Sequence, residues 1–554
     1  MDLRKLFLRA TCGFLVAANL AFAGPGGHLE MANLSPYDWK LTYNHSYHMD
    51  WEPWDLIPIG SKLEQYVEWW YHWGDNGDGG AEATYSLVGT DLSFSIQARQ
   101  SGGKKLLVEY SDALAAMTLT GEKVIDLGFD HDGSVLFVLS GNGVEPYVSS
   151  QAPRDWMQKT LSTIGSKELR EMSMPMAHNS GMNTITKGYG GCKHNTACQT
   201  VPIYNQLAFG ARWFDLRPTV VKGNWYANHM SDAGILGWVG ARGTSFTDIV
   251  NDINRFISET PGELIILQIS HELDGDAGAK WIPGLPEARW QILYTLLEQL
   301  NDLWTPADSN LPDDLETLKI SQFIQPGSNS TILVRIPDHA PLPNSSHPAF
   351  IHESRLPVTG DWISTADPSV LSDTQFTTLQ KLRLSPKSPM FRLPWTIAPK
   401  IAHMIDVANP LHSIIGEAMW AEHKLYQIIW DKLTRDTYPN LIEVDNIHNS
   451  QVTAITMVIN QRYADAEGWM KWMEGEKREV TTLRWAERLR IDDGSSTRDD
   501  EKEEEDVWPH AETEPAGELD IAVLDKKMPN TKRIVKFGST EQHKGAILGE
   551  IHIR

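Results

Sequence analysis

Short apolar segments alternate with amphipathic stretches along residues 155–465, and no other feature limits the folds open to this chain so strongly. Six of these segments are predicted strands: EMSMPMA, ARWFDLR, WYANHM, LIILQIS, TILVRIP and NLIEVD. Strands that alternate with helices predict a parallel sheet. The length of the region suits an α/β fold of the TIM type, a distorted β/α barrel, and an open doubly wound sheet is the alternative.

The segment SFTDIVNDINRFISETPG is the clearest of the intervening helices. Its apolar residues recur with a period of about 3.6 and therefore share one face. They are Phe246, Ile249, Ile253, Phe256 and Ile257. Ser245 and Asp248 predict an N-terminal cap, and Pro261 followed by Gly262 ends the helix.

Residues 30–152 have a different pattern, which predicts a separate N-terminal all-β, sandwich-like domain. Runs such as AEATYSLVGT, SFSIQAR, KLLVEY and VLFVLSG are separated by turn sequences such as GDNGDGG. Six tryptophans cluster here: Trp39, Trp51, Trp54, Trp69, Trp70 and Trp73. We expect most of them in the sandwich core, with one or two on an exposed platform for sugars or a lipid interface as the alternative.

The two ends of the chain lie outside these predicted domains. Residues 1–23 contain basic residues, then a short apolar run, then the small-residue pattern AFA that ends at Ala23. This pattern predicts a secretory signal peptide, so we expect a secreted, extracellular protein. Residues 466–554 are acidic and poor in apolar residues, which predicts a disordered tail.

The formal net charge of −23 excludes one class of partner. A chain this acidic has no excess of cations to replace phosphate counterions, so we expect no nucleic-acid partner. No segment after the signal peptide has the about twenty apolar residues that a spanning helix needs, so we expect no transmembrane anchor. We also expect a monomer.

Two cysteines, Cys192 and Cys198, remain once the signal peptide is removed. In an oxidising compartment they are expected to form one disulfide that closes a small loop. The alternative is a metal site with His194, although two thiolates and one imidazole in so short a loop make a poor tetrahedral shell. Four N-x-Ser/Thr sequons make the chain a candidate glycoprotein. They begin at Asn33, Asn44, Asn329 and Asn344.

Polar side chains follow several of the predicted strands: His178, Arg217, His229 and Asp445. In either architecture the carboxyl ends of parallel strands form the active-site face. Two imidazoles, a guanidinium and a carboxylate suit metal-free attack on a phosphodiester, as base, acid, phosphate ligand and tautomer-fixing group. For Asp445 the alternative is the N-cap of a helix in SQVTAITMVINQRY.

The order of five short motifs adds a resemblance to a known family. The motifs are MPMAHNSG, GARWFDLRP, NHM, PGELIILQIS and VDNIHN. They resemble the phosphatidylinositol-specific phospholipase C X domain and its PLC-like phosphodiesterase relatives, over residues 160–465. The resemblance implies a distorted β/α barrel and a phosphoric diester hydrolase whose partner is a phospholipid substrate at a membrane surface.

The resemblance also implies a role for each matching residue. His178 is the general base that deprotonates the inositol 2-hydroxyl, and His229 is the general acid that releases diacylglycerol. Arg217 binds the phosphate. Asp445 orients His178, and Asp215 lies beside Arg217 and His229.

Substrate contacts are implied for Arg217, Asn179 and Arg335, and here the chain departs from the family in two places. Asn179 stands where many bacterial members have an Asp that partners the second His, and an amide cannot stabilise an imidazolium by charge. Those members also have a Lys near the position of Ser270, so a headgroup other than inositol stays open.

The family has a metal-free branch and a calcium branch, and the sequence favours the first. Calcium requires several oxygen ligands. The calcium branch places carboxylates where this chain has Arg217 and Ser270, and a guanidinium repels a bound cation. We therefore expect no cofactor and no metal at this site.

Two other functions remain as alternatives. The first is a glycerophosphodiesterase-type hydrolase on the same barrel, although that class carries His-Arg and Glu-x-Asp metal motifs where this chain has HN and DLR. The second is a non-catalytic secreted lipid- or glycan-binding protein that uses the Trp-rich domain.

The metal-free assignment has a direct test. Phosphodiesterase activity of the purified mature protein is expected to persist in EDTA, because a guanidinium rather than an ion neutralises the phosphate. Activity is measured before and after chelation, and loss that calcium restores would contradict the assignment.

Overall fold

The computed structural model describes residues 25–70, 77–141, 146–234, 237–276, 282–308 and 310–462. All of them fall within one compact unit. The predicted signal peptide, Trp73 and the predicted disordered tail lie outside the described residues. The predicted domain boundaries at residues 152, 155 and 465 stay predictions.

A sheet of eight parallel strands forms the centre of the fold. In chain order its strands are Met174–Ala177, Trp213–Leu216, Leu264–Ile269, Thr331–Ile336, Phe350–His352, Val358–Thr359, Met390–Trp395 and Leu441–Val444. Except for the fifth and sixth strands, neighbours along the chain are neighbours in the sheet, and the last strand pairs with the first. Among the described residues no ladder joins the fifth strand to the sixth. The sheet is therefore curled, in the strand order of a β/α barrel with one opening.

Helices connect and cover these strands. The α-helices of the described residues are Asp112–Ala116, Trp156–Lys159, Leu161–Ile164, Lys193–Thr196, Ile203–Ala208, Phe246–Glu259, Glu287–Leu297, Pro368–Leu382, Ile401–Ile405, Ile414–Lys432 and Gln451–Arg462. Short 3-10 turns occur at Leu169–Glu171, Leu315–Thr317, Ile320–Gln322, Glu353–Arg355 and Pro410–His412. Within the described ranges, no helix combines the length and apolarity needed to cross a bilayer.

The helix predicted from SFTDIVNDINRFISETPG is confirmed as Phe246–Glu259. The Ser245 hydroxyl accepts a hydrogen bond from the backbone N–H of Asp248 at 3.1 Å, which satisfies one of the free N–H groups of the first turn. The residues predicted for its apolar face are all buried. Local periodicity therefore located this element correctly.

Two sheets form the N-terminal region. One contains Gly26–Leu34, Met49–Asp50, Lys62–Trp69, Ser134–Ser140 and Val148–Ser149. The other contains Trp39–Tyr47, Leu56–Ile57, Gly80–Leu87, Ser93–Arg99, Lys105–Tyr110 and Val124–Gly128. Both sheets contribute side chains to one shared apolar cluster, as expected of a β-sandwich.

The first of these sheets is covered on both faces. In its strand Gly26–Leu34, Leu29 and Met31 pack into the sandwich cluster. Ala32 and Leu34 belong instead to the apolar cluster of the parallel-sheet region. Because alternate residues of a strand point to opposite faces, this sheet lies between the second sheet and the parallel-sheet region.

The tryptophan expectation holds for most of the described residues. Trp39, Trp51 and Trp69 are buried in the sandwich cluster. Trp54 and Trp70 are 46% and 50% exposed, so they are the two that stand on the surface.

The predicted disulfide is wrong, because Cys192 and Cys198 are both free. The helical turn Lys193–Thr196 separates them and leaves Cys192 exposed and Cys198 buried. The Cys198 thiol lies instead 3.5 Å from Nδ1 of His229.

One sequon lies in the interior. Asn33 is fully buried, and its side-chain amide donates to the carbonyl oxygens of Tyr37 and Ile57 at 2.8 and 2.9 Å. That amide is not accessible to a glycan in the folded protein. Asn44, Asn329 and Asn344 are exposed.

The segment WYANHM is not a strand of the parallel sheet, which corrects the predicted position of His229. It lies in a separate six-stranded sheet. That sheet contains Lys187–Tyr189, Pro218–Val221, Asn224–Asp232, Trp238–Ser245, Leu273–Asp274 and Ile282–Pro283. Lys222 and Gly223, with φ of 52° and 73°, form a two-residue hairpin loop that reverses the chain. His229 therefore sits within an antiparallel ladder, opposite Ala241.

Gly181, in the HNSG segment, brings the loop after the first parallel strand against this hairpin. A Cβ at this position would overlap the Cβ of Ala227 and lie 3.2 Å from Cδ1 of Ile249. Ala227 is two residues before His229, so this contact sets the distance between the loop of His178 and the strand of His229.

Substitution of this glycine is expected to disturb both stability and the site. Gly181→Ala should lower the free energy of unfolding by about 1–3 kcal/mol, because it overpacks a closed contact. The double variant Gly181→Ala/Ala227→Gly removes the overlapping methyl and should recover most of the loss. Chemical denaturation measures the free energy of unfolding of both variants. An unchanged value for Gly181→Ala would show that the neighbouring residues move to accommodate the added methyl group.

Candidate active site

The residues predicted for the site come together at one edge of the parallel sheet. The strands Leu441–Val444, Met174–Ala177 and Trp213–Leu216 are adjacent in the sheet. Asp445 directly follows the first of them, and His178 directly follows the second. Asp215 lies in the third, and Arg217 directly follows it. The carboxyl ends of adjacent parallel strands place these side chains together.

The His178 imidazole is held on both of its ring nitrogens. Its Nδ1 lies 2.7 Å from Oδ1 of Asp445, and its Nε2 lies 2.8 Å from Nη2 of Arg217. A guanidinium only donates, so Nε2 accepts and the ring proton sits on Nδ1, facing the carboxylate. Burial opposes a charge on the ring, but Asp445 outweighs it and raises the pKa of His178. The result is an imidazole whose Nε2 is oriented as a base.

Asp215 fixes the guanidinium from the other side. Its Oδ2 accepts from Nε of Arg217 at 2.9 Å and from the backbone N–H of Asn179 at 3.1 Å. Its Oδ1 accepts from the Ser270 hydroxyl at 2.6 Å. Burial would raise the pKa of Asp215, but the Arg217 charge holds that pKa well below its usual range. The carboxylate therefore stays ionised and orients Arg217 through Nε rather than through the outer Nη groups.

His229 reaches the same place from the hairpin. Its Nδ1 lies 3.0 Å from the carbonyl oxygen of Thr196 and 3.5 Å from Sγ of Cys198. Burial, followed by the nearby Arg217 charge, lowers the pKa of His229 to about 4. With Nδ1–H donated to the carbonyl, Nε2 is the nitrogen free to exchange a proton with a ligand.

Two residues predicted to contact substrate, Asn179 and Arg335, have protein environments separate from the His178–Arg217 contact, and their substrate contacts stay predictions. The Asn179 side chain is fully buried, and neither of its amide atoms has a hydrogen-bond partner, so it does not support His229. Nε of Arg335 donates to the carbonyl of Leu356 at 3.0 Å, and Nη1 lies 3.4 Å from Glu353. Burial lowers the pKa of Arg335 to about 10. Among the described contacts, Arg335 has none with His178 or Arg217.

The N-cap alternative for Asp445 is wrong. The next described helix begins at Gln451, and the backbone N–H of Gln451 donates to the side chain of Asn449 at 2.9 Å. Asp445 lies six positions earlier, where it bonds to His178.

Sequence reasoning assigned no side-chain contact in the site to three residues: Cys198, Ser270 and His271. Nδ1 of His271 lies 3.0 Å from the Ser270 hydroxyl, and the Arg217 charge, followed by burial, lowers the pKa of His271 to about 4. Ser270 and His271 follow the strand Leu264–Ile269, which is the same signal that located His178. Cys198 gave no such signal, because its place depends on how its loop packs.

One group of site residues could hold a metal by distance alone. Ligand atoms of His178, Cys198 and Asp445 lie within 4.8 Å of one another. Arg217 contacts that same imidazole, so a cation bound there would face a guanidinium at close range. Burial also raises the pKa of the Cys198 thiol well above its usual value, which disfavours the thiolate that metals require.

The cluster has the parts needed for displacement at phosphorus without an ion. It contains an oriented imidazole base, a guanidinium fixed by Asp215, and a second imidazole beside Cys198. His178 and Arg217 are each 16% exposed, so a ligand can approach both. Phosphoryl oxygens suit the outer nitrogens of a fixed guanidinium.

Comparison with known proteins supports the resemblance inferred from the motifs. No family model matches the chain. A PI-PLC X-box domain-containing protein of Dictyostelium discoideum is 28% identical over 133 residues, which covers 21% of this chain and 16% of that protein. The chain thus spans about a sixth of the length of this curated relative. The resemblance to PI-PLC-like proteins is confirmed, at low identity.

Solved structures of bacterial phosphatidylinositol-specific phospholipases C are also similar. A mutant of the Staphylococcus aureus enzyme is 14% identical, covers 55% of this chain and 96% of its own, and superposes with a TM-score of 0.39. The Listeria monocytogenes enzyme is 15% identical, covers 56% of this chain and 98% of its own, with a TM-score of 0.34.

Removal of the charge on Asp445 is expected to move the pH dependence of the site. Asp445→Asn removes the interaction that raises the pKa of His178, so His178 should become neutral at lower pH. The acid limb of kcat/KM should therefore shift to lower pH, while kcat/KM at its maximum falls by about 100-fold or more. Rates between pH 4 and 9 measure this, and an unshifted acid limb would show that His178 is not the titrating base.

Proposed function

We propose that this chain is a secreted, PLC-like phosphodiesterase that cleaves a phospholipid by attack of a hydroxyl on phosphorus. One observation carries the proposal: the His178 imidazole bridges Asp445 and Arg217, with the His229 imidazole in the same buried cluster. A base, an acid and a phosphate ligand are then available to one phosphodiester.

The reaction follows from these contacts. Arg217 binds the non-bridging oxygens, and the phosphate displaces the hydrogen bond between Arg217 and Nε2 of His178. Nε2 then accepts the proton of the attacking hydroxyl as its oxygen bonds to phosphorus. The bond from phosphorus to the leaving oxygen breaks, and that oxygen takes a proton from Nε2 of His229. Asp445 stabilises the imidazolium that forms on His178.

Because the pKa of His229 is low, His229 can act as the acid only if substrate binding favours its protonated form. With the pKa lowered to about 4, His229 is neutral in the free protein at neutral pH. After burial, the second cause of this low pKa is the positive charge of Arg217, and a phosphodiester anion bound to Arg217 offsets that charge. Protonation of His229 is therefore coupled to substrate binding. The neutral Asn179 supplies no negative charge of its own for this purpose.

The substrate class rests on the resemblance. If the headgroup is inositol, the attacking group is its 2-hydroxyl, and the products are a water-soluble cyclic inositol phosphate and diacylglycerol. The exposed aromatic residues of the sandwich favour a second candidate, a protein that binds lipid or glycan surfaces without turnover. Among the described residues these are Tyr43, Tyr47, Trp54, Tyr66 and Trp70.

Cleavage of phosphatidylinositol vesicles separates these functions. The mature protein is expected to release cyclic inositol phosphate, which phosphorus NMR detects. His178→Ala should lower kcat/KM by a factor of about 10²–10⁴, because this variant lacks the base. His131→Ala is the matched control, because this imidazole is 58% exposed and lies on the sandwich.

Three results would contradict the proposal in different ways. Release of glycerol phosphate from soluble glycerophosphodiesters points to the alternative hydrolase. Vesicle binding that His178→Ala leaves unchanged, without turnover of any phosphodiester, points to the binding protein. Full activity in His178→Ala would remove the assigned base.

A further inference from the structure

A second cluster of ionisable side chains lies where the sandwich meets the helix Ile414–Lys432. His28 and Glu30 are alternate residues of the strand Gly26–Leu34 and point to the same face of the sheet. Glu64, on the neighbouring strand, is directly opposite Glu30 in the antiparallel register. His423 belongs to the helix Ile414–Lys432, which packs on this face.

A series of pairwise contacts links the four side chains. Nδ1 of His28 hydrogen-bonds to Oε1 of Glu64. The rings of His28 and His423 are 4.4 Å apart between centroids, and Nδ1 of His423 lies 3.6 Å from Oε1 of Glu30. Gln427, one turn after His423, places its amide nitrogen 2.8 Å from Oε2 of Glu64 and 3.0 Å from Nε2 of His423.

Protein atoms leave this cluster incompletely satisfied. Glu30 is only 4% exposed, and its Oε1 has no hydrogen-bond partner, nor has Nδ1 of His423. Glu30 and Glu64 are directly opposite each other, so two carboxyl groups lie side by side on this face of the sheet. Lys62 is the nearby cation, but its ammonium group bonds to Asp431 and to the backbone carbonyl of Gln427.

We propose that His28, Glu64 and His423 bind a divalent transition-metal ion of the zinc class. One ligand atom from each lies within 4.8 Å of the other two. Tetrahedral zinc places its ligand atoms about 3.3 Å apart, so small rotations of the three side chains bring them to coordination distance, and water takes the fourth position. Two imidazoles and one carboxylate suit zinc, whereas calcium and magnesium prefer shells of oxygen.

Glu30 and Gln427 have defined places in this site. With Nε2 of His423 on the metal, its Nδ1–H donates to the unpartnered carboxylate oxygen of Glu30, which fixes the tautomer. The Gln427 amide nitrogen lies between Glu64 and His423, so the ion displaces it. The bound ion links two strands of the sandwich to a helix of the parallel-sheet region and stabilises their contact.

Metal binding to the full-length mature protein tests the proposal. After chelation and removal of the chelator, Zn²⁺ is expected to bind and to raise the Tm. Co²⁺ should give the visible absorption bands of a tetrahedral site. His28→Ala and His423→Ala should each weaken Zn²⁺ affinity by about 100-fold, and Glu30→Gln by about 10-fold. Circular dichroism verifies that each variant is folded.

Two variants serve as controls. His339→Ala removes an imidazole that bonds to Glu272 without a second histidine, so Zn²⁺ affinity and the Tm rise should be unchanged. His178→Ala disrupts the second group that distance alone would allow to hold a metal among the described residues, and Zn²⁺ binding should persist in this variant. Gln427→Ala removes the amide that occupies the proposed position of the ion, so this variant should retain Zn²⁺ binding.

The results separate a metal site from a hydrogen-bonded contact. Zn²⁺ affinity that is equal in the wild type, His28→Ala and His423→Ala would overturn the proposal, as would loss of the Co²⁺ bands in His178→Ala alone. Absence of any Tm rise with Zn²⁺ would show that the cluster joins the two regions by hydrogen bonds only.

Discussion

The pairing of the first and last strands of the parallel sheet is the constraint on which the site depends. It brings Asp445 to His178 across 267 positions of sequence and sets them 2.7 Å apart. The next strand adds Arg217 and Asp215, so that a carboxylate, an imidazole, a guanidinium and a second carboxylate form one chain of hydrogen bonds. Each charge in this chain has an opposite charge or a donor beside it, which compensates the cost of its burial.

His229 lies on a different structural element from the other residues of the cluster. It comes from an antiparallel hairpin that folds over the sheet edge, and its support is the Thr196 carbonyl and the Cys198 thiol. Neither supplies a negative charge, and Asn179 has none either. The low pKa of His229 therefore follows first from its burial and then from the charge of Arg217, and it links the protonation state of His229 to what the guanidinium binds.

The N-terminal sandwich is joined to the parallel-sheet region through polar as well as apolar contacts. The Gln451 side chain, in the last helix, accepts from the backbone N–H of Leu136 at 2.6 Å and donates to the carbonyl of Leu127 at 2.9 Å. The imidazole and carboxylate cluster of His28 and Glu64 lies on the sheet that contains Leu136. Such directional contacts fix the orientation of the sheet on the helices more closely than apolar packing alone.

Local pattern was sufficient for elements with a strong period. The helix Phe246–Glu259 and the strand ends that carry His178, Arg217 and Asp445 follow from apolar spacing, because burial of one face depends on residues a few positions apart. Short strands such as Val358–Thr359 gave no periodic signal. The hairpin was missed because the two-residue loop Lys222-Gly223 was not recognised as a turn.

The sequence by itself determined which residues end the strands, and hence the imidazole of His178, the guanidinium of Arg217 and the carboxylate of Asp445 in the cluster. Only the tertiary structure decided the partners of those residues. It turned Cys198 toward His229 rather than toward Cys192, left Asn179 buried without a partner, and set Glu30 opposite Glu64 beneath His423. These contacts join segments far apart in the chain, and their geometry depends on how sheets and helices pack, which no local periodicity encodes.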